Sequence, residues 1–217
     1  MPNRPLGTPG TSEQFGSVRR GYYFIRPDDE VRRNIATSSS HPLFDGKTGH
    51  IVASLFDHGT RSFAVTGTHR CFSNTYSACS GTTFVCGQSE KNRETDSAHV
   101  SNSFFQFFNE EVFIRWQDTV TATSRDAAQA FVHLQQHGME SRSTTDSFVS
   151  NGVVADNMPK FSGGLANTLA EFLSDEMTAY GAEHGFDNSQ QYTGFSCNSD
   201  EHAGQVSLCG STNTLGR

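Results

Sequence analysis

Apolar positions along this chain fall into short clusters separated by polar stretches rich in Ser, Thr and Gly. Gly21-Tyr22-Tyr23-Phe24-Ile25-Arg26 reads as a short strand, stopped by Pro27 and the acidic Asp28-Asp29-Glu30. Ile51, Val52, Leu55 and Phe56 recur at i, i+1, i+4 and i+5, one face at a period of 3.6, and predict a helix over about Lys47 to His58. Residues from Arg61 to Phe72 read as a strand through Phe63 and Val65, and Thr82 to Val85 as another short one. The densest apolar signal is Phe104-Phe105-Gln106-Phe107-Phe108 followed by Val112-Phe113-Ile114-Arg115-Trp116. With Asn109-Glu110-Glu111 between them, the two runs predict a hairpin. Helices are then expected from about Arg125 to His137, with Ser124 as N-cap, and from about Gly164 to His184. The last has an apolar stripe of Leu165, Leu169, Phe172, Leu173, Met177 and Tyr180, and turns Glu171, Asp175 and Glu176 to water.

These elements describe an α+β fold, an antiparallel meander sheet with about three packed helices and extended terminal segments. The chain of 217 residues divides on this reading into an extended arm at 1–19, a domain at 20–186 and a polar tail at 187–217, with a strand at Gln205–Leu208. Hydrophobic residues make up 34% of it, enough for a core. Phe occurs 18 times against 9 Leu, and Ser and Thr 26 and 21 times, a bias that suits strands and hydrogen-bonded loops. The net charge of −7 argues against nucleic acid or an anionic membrane as partner. No apolar run approaches a membrane span, and residues 1–7 carry no secretory apolar region, so a cytoplasmic or assembly-associated protein is expected. The spacing of Cys71, Cys79, Cys86, Cys197 and Cys209 matches no zinc template. Small-loop disulfides within 71–86 and between 197 and 209 compete with free buried thiols, and the thiols are the expectation.

His133 and His137, at i and i+4 of the second predicted helix, share a face, the way zinc is gripped in His-Glu-x-x-His enzymes. Leu134 stands where the catalytic Glu would be, and a third ligand (His184, Glu140 or a Cys) has to come from folding. The plainer reading makes His137 a helix cap. His58-Gly59, His137-Gly138 and His184-Gly185 each end a predicted helix, where a cation suits the macrodipole and Gly suits the C′ position. Full protonation of 9 His would take the charge from −7 to +2, since −7 + 9 = +2, which is the arithmetic of a pH switch.

Arg26 ending a strand, the hydroxyl-rich Ser62-Phe63-Ala64-Val65-Thr66-Gly67-Thr68 and Glu110-Glu111 before a strand lie in an order that resembles the mono-ADP-ribosyltransferases. Thr66-Gly67-Thr68 stands where that family has Ser-Thr-Ser. The resemblance implies an NAD-using transferase in which Arg26 and Thr66 bind the dinucleotide and Glu111 is catalytic. A Ser/His/Asp hydrolase could draw on His69, Asp96 or Asp118 and Ser162, but Ser162 lies in no nucleophile elbow. The leading expectation is therefore non-enzymatic: a self-assembling coat, cement or filament subunit with no cofactor, whose partner is itself. Phe104, Phe105, Phe107, Phe108 and Trp116 are its interface anchors.

Overall fold

A computed structural model describes residues 21–78, 82–87, 90–122, 131–138, 147–149, 165–184 and 194–196. The arm at 1–19, the Gln205–Leu208 strand, Cys79, Cys197, Cys209, Ser162 and Arg125 to Ala130 lie outside these residues. The chain separates into two compact units, residues 1–138 and 139–217. Among the described residues no helix is long and apolar enough to cross a membrane.

The first unit is built on a four-stranded sheet of β1 (Tyr22–Ile25), β2 (Arg33–Ser39), β3 (Thr60–Val65) and β6 (Val132–Gln136), in the order β1-β3-β2-β6. The α+β class holds. The sheet is mixed where an antiparallel meander was expected: only β1 and β3 run antiparallel, while β2 is parallel to both β3 and β6. The reason is α1 (Thr48–Asp57), which returns the chain from the end of β2 to the start of β3, the crossover that a parallel pair requires. Helix α1 follows its sequence pattern, burying Val52 against Phe63 and Val65 with Ala53 and Phe56 alongside. It ends as expected at His58, whose Nδ1 donates to Ser54 O at 2.7 Å, and at Gly59, whose φ of +92° is the left-handed turn that glycine adopts without strain.

The expected hairpin is a helix, α2 (Phe104–Ala122). No Gly or Pro interrupts the chain from Ser101 to His137, and Asn109-Glu110-Glu111 has no residue suited to a tight hairpin. The start of the helix is a capping motif, Ser103-x-x-Gln106, in which Gln106 N donates to Ser103 Oγ at 3.2 Å. Phe105, Asn109 and Val112 are buried, a helical spacing that the aromatic run conceals. Tyr23 of β1 meets Phe104 and Phe108 at ring-centroid distances of 4.7 and 5.1 Å, while Phe24 meets Phe56 and Phe63 at 6.3 and 5.8 Å. Helices α1 and α2 therefore contact opposite faces of the sheet.

The helix expected over 125–137 is strand β6 in its described part. Paired along β2 from Ile35↔Val132 to Ser39↔Gln136, it gains a ladder that outweighs the weak helical periodicity of Val132-His133-Leu134-Gln135-Gln136. A small ladder joins β4 (Thr82–Thr83) to β5 (Glu90–Lys91). In the second unit β7 (Ser147–Val149) pairs in parallel with β8 (Gly194–Ser196), and both contact α3 (Leu165–Glu183). Helix α3 has the bounds its periodicity predicts, and His184 Nδ1 donates to Tyr180 O at 2.9 Å as at the end of α1. Its apolar stripe is only half covered: Leu169 and Leu173 are partly buried, while Phe172, Met177 and Tyr180 are exposed.

The thiol expectation is corrected for two residues. Cys71 and Cys86 form a disulfide that closes a loop of sequence separation 15, and the Arg93 guanidinium holds the same loop by donating to Cys71 O and Ser73 O at 2.8 and 2.9 Å. Spacing alone could not distinguish a bridge from two thiols. Closing a loop of this size removes unfolded-chain entropy worth about 3 kcal/mol. The Cys71→Ser, Cys86→Ser double variant is expected to lose about 2–4 kcal/mol in urea unfolding without reductant, and equal stability would show that the bridge is not formed in solution.

Candidate functional site

The buried polar groups of the first unit converge at the end of β2. Ala36, Thr37, Ser38, Ser39, Ser40 and His41 are all buried, a run that in a central strand covered on both faces would ordinarily be Val or Ile. Several of the hydroxyl groups bond one another or the backbone. Thr37 Oγ1 donates to Ser62 O at 2.9 Å, Thr66 Oγ1 donates to Ser40 O at 2.8 Å, and Ser39 Oγ meets Thr48 Oγ1 at 2.8 Å. His41 follows, its imidazole 1% exposed.

Asp96 is the centre of the cluster. Its Oδ1 accepts from His41 Nε2 at 2.6 Å and from His99 Nδ1 at 2.9 Å. Its Oδ2 accepts from Arg70 Nη2 at 2.5 Å and Nε at 3.1 Å. Burial alone would raise Asp96, but the hydrogen bonds and charges of His41 and His99 hold its carboxyl well below the usual carboxylate range. Burial alone would also strip the proton from His41. Asp45 and Asp96 together overcome it and raise His41 above the ordinary histidine value.

Asp45 sits one turn along from His41. His41 O accepts from Phe44 N at 2.9 Å and from Asp45 N at 2.7 Å, so Pro42-Leu43-Phe44 closes a single tight turn and both side chains return to one side. Asp45 Oδ2 lies 3.5 Å from His41 Nδ1 and 3.4 Å from His137 Nδ1. Despite burial, the hydrogen bonds of His137 and His41 and the backbone of Gly138 hold Asp45 well below its usual value. Glycine at 138 does not cap a helix here. It permits close approach, because a Cβ there would stand 2.9 Å from Asp45 Cα and Cβ. Among the described residues two groups of donors thus have ligand atoms within 4.8 Å of one another, His41 with Asp96 and His99, and His41 with Asp45 and His137.

The expected His133/His137 pair is not one site. On a strand, residues four apart share a face but stand about 13 Å apart, too far for one ion. His133 Nε2 instead meets Ser38 Oγ at 2.8 Å, and burial lowers its pKa to about 4. His137 joins the cluster through tertiary contacts with His41 and Asp45, residues that no local spacing links to it.

Arg26, Thr66 and Glu111 are not brought together. Arg26 N donates to Arg61 O at one end of the β1–β3 ladder, where its guanidinium donates to Thr60 O and Phe56 O. Thr66 lies beyond the other end of β3, five residues and about 16 Å away. Glu111 is half-buried within α2, where a preceding-strand position was expected. Of the hydrolase candidates, Asp96 is held as above, Asp118 is exposed on α2, and His69 Nδ1 accepts from Cys71 N at 3.2 Å. The aromatic anchors divide: Phe105 is buried, Phe108 and Trp116 are half-buried, and Phe104 and Phe107 are exposed.

Asp96→Asn keeps the shape but leaves His41 and Arg70 without their carboxylate in a buried setting, so a loss of about 3–5 kcal/mol is expected in chemical denaturation. A loss under about 1 kcal/mol would demote the cluster to a solvated surface pair. His133, neutral in the fold with a pKa of about 4, contributes stability that is complete above its ordinary value of 6.5 and is lost as pH falls from there toward 4. His133→Gln is therefore expected to flatten the melting temperature between pH 6.5 and 4, and an unchanged slope would contradict the burial argument. Comparison of the chain with protein-family models, with curated proteins and with solved structures finds no match to any of them, so its function is argued from the geometry above.

Proposed function

We propose that the chain works by associating with copies of itself, as a subunit of an assembly, through the free side of its sheet. The observation that carries this reading is the aromatic edge at β1. Among the described residues β1 pairs only with β3, which leaves its other edge without a strand. On that edge Tyr22 is 68% exposed, Phe24 52% and Ile25 49%. Helix α2 adds apolar surface on the other face of the same edge, where Phe104 packs against Tyr23 and, with Phe107, is exposed. Large apolar side chains thus flank the β1 edge on both faces, Tyr22 and Phe24 on the α1 side and Ile25, Phe104 and Phe107 on the α2 side, exposure of the kind that marks an interaction site.

A second copy of this chain is the occupant the geometry favours. An antiparallel strand edge is complementary to itself about a twofold axis: each copy offers the same donors and acceptors, and Tyr22-Tyr23-Phe24-Ile25 of one runs against the same residues of the other. The aromatic side chains then bury area on both partners at low conformational cost.

Size-exclusion chromatography with light scattering over a concentration series tests the proposal. A dimer or larger species is expected at micromolar concentration. Tyr22→Lys and Phe107→Lys, both at exposed positions, are expected to weaken association more than tenfold while leaving the circular dichroism spectrum unchanged. A strictly monomeric protein at several hundred micromolar sinks the reading.

A further inference from the structure

We infer that His41, Asp45 and His137 form a binding site for a divalent first-row transition-metal ion, zinc by preference, with one coordination position open to solvent. The site is independent of self-association and lies at the other side of the sheet, after β6.

His41 Nδ1 and Asp45 Oδ2 are buried and make no hydrogen bond of good length: they face each other across a long ion pair of 3.5 Å. The His41 side chain is 1% exposed and that of Asp45 4%, so bulk water does not reach either group. A loose buried pair of this kind is poorly satisfied, and a metal ion that displaces the His41 Nδ1 proton would bind both atoms at once. His137 Nδ1 approaches the same oxygen at 3.4 Å.

Those spacings suit a metal. Zinc bonds to imidazole nitrogen and carboxylate oxygen at about 2.0–2.2 Å, and adjacent ligands of a tetrahedron then stand about 3.3–3.6 Å apart. Two imidazoles and one carboxylate are a borderline donor set that suits zinc and its first-row neighbours better than magnesium or calcium, which prefer oxygen alone.

The groups behind the ligands point the same way. His41 Nε2 is 2.6 Å from Asp96 Oδ1, the carboxylate–histidine arrangement that orients an imidazole and directs its other nitrogen at a metal. His137 Nε2 is 2.8 Å from Gln135 Oε1, so this ring also presents Nδ1 toward Asp45. Gly138 lets the end of β6 reach Asp45 closely enough for the three to meet.

The other triad, His41 with Asp96 and His99, is the weaker candidate. Both Asp96 oxygens already accept hydrogen bonds, and the Arg70 guanidinium on Oδ2 would repel a cation. The Arg70 charge also acts on His41 and His137, but its guanidinium hydrogen-bonds Asp96 and not the Asp45 carboxylate. No fourth His, Cys, Asp or Glu joins it among the described residues. The His137 side chain keeps 35% of its surface open, giving a path for the ion and a place for a water molecule as fourth ligand. Three protein ligands and one exchangeable position are the arrangement of zinc sites that perform chemistry rather than only hold a fold.

Isothermal titration of the metal-stripped full chain with zinc chloride tests the site, with cobalt(II) absorption reporting coordination number. One equivalent per chain is expected, with the visible bands of tetrahedral or five-coordinate cobalt. Asp45→Asn, which preserves shape, and His137→Gln, at a partly exposed position, are each expected to weaken binding at least tenfold. His133→Gln and His99→Gln should not. Circular dichroism confirms that each variant is folded. Absence of one-to-one binding overturns the inference. So does binding that survives both ligand substitutions, or binding that depends on His99 in place of His137.

Discussion

A single buried carboxylate, Asp96, organises the first unit. It draws together His41 from the end of β2, Arg70 from the loop after β3 and His99 from the segment before α2, no two of which are near each other in sequence, only His99 lying close to Asp96 itself. A carboxylate taken out of water in this way needs compensation from every side. The loops obey: Thr95 Oγ1 donates to Arg70 O at 2.8 Å, Gln106 Nε2 donates to Ser97 O at 2.8 Å, and the Cys71–Cys86 bridge begins one residue after Arg70. The Asp96 carboxylate thus fixes the region between β3 and α2, which has few apolar side chains to hold it by packing.

The rest of the unit follows the same economy. A sheet with helices on both faces normally has a central strand of branched apolar residues. Here β2 offers Ala36-Thr37-Ser38-Ser39, and the true apolar cluster is small, Val52 with Phe63 and Val65 and their neighbours. Hydroxyl groups give up hydrophobic driving force at these positions and gain direction, since each can form only a few bonds. The excess of Ser and Thr that suggested loops and strand surfaces is therefore partly a core composition. That buried polar run leads directly into His41, so the same residues that form the central strand deliver the imidazole to Asp96.

Sequence reasoning reached the elements whose signal was local. Helix α1, strand β1 and helix α3 follow from periodicity and caps, to within a residue or two of their ends, while β3 starts as expected but stops at Val65 rather than running on to Phe72. It misread α2 because five residues of Phe104-Phe105-Gln106-Phe107-Phe108 look like a buried strand, while the helix is legible only over nineteen residues and in the Ser103 cap. It misread β6 because strand pairing with β2 is a contact across about 97 residues of chain, as Ile35↔Val132 illustrates. The candidate site suffered the same way. His137 was found, with the wrong companion, because i and i+4 neighbours on a helix stop being neighbours on a strand. Asp45 and His41 carried a readable hint, a four-residue spacing around Pro42, but their meeting with His137 depends on parallel pairing of β6 and on the absence of a side chain at Gly138. No pattern in one sequence encodes that.

The topology keeps the two proposed activities apart. Strands β1 and β6 are the outer members of the order β1-β3-β2-β6, three strand spacings or about 14 Å from one another. The β1 edge is aromatic and exposed. The β6 side ends in His137 and Gly138, above a buried set of charges. Association along β1 leaves the exposed face of His137 unobstructed by any β1–β1 contact, and an ion held by three side chains at the far edge adds nothing to the apolar surface at Tyr22 and Phe24. Each substitution that disturbs one edge is thus expected to act on that edge alone, because the strands between them, β3 and β2, are the most fully buried in the sheet and transmit little beyond their own fixed ladder.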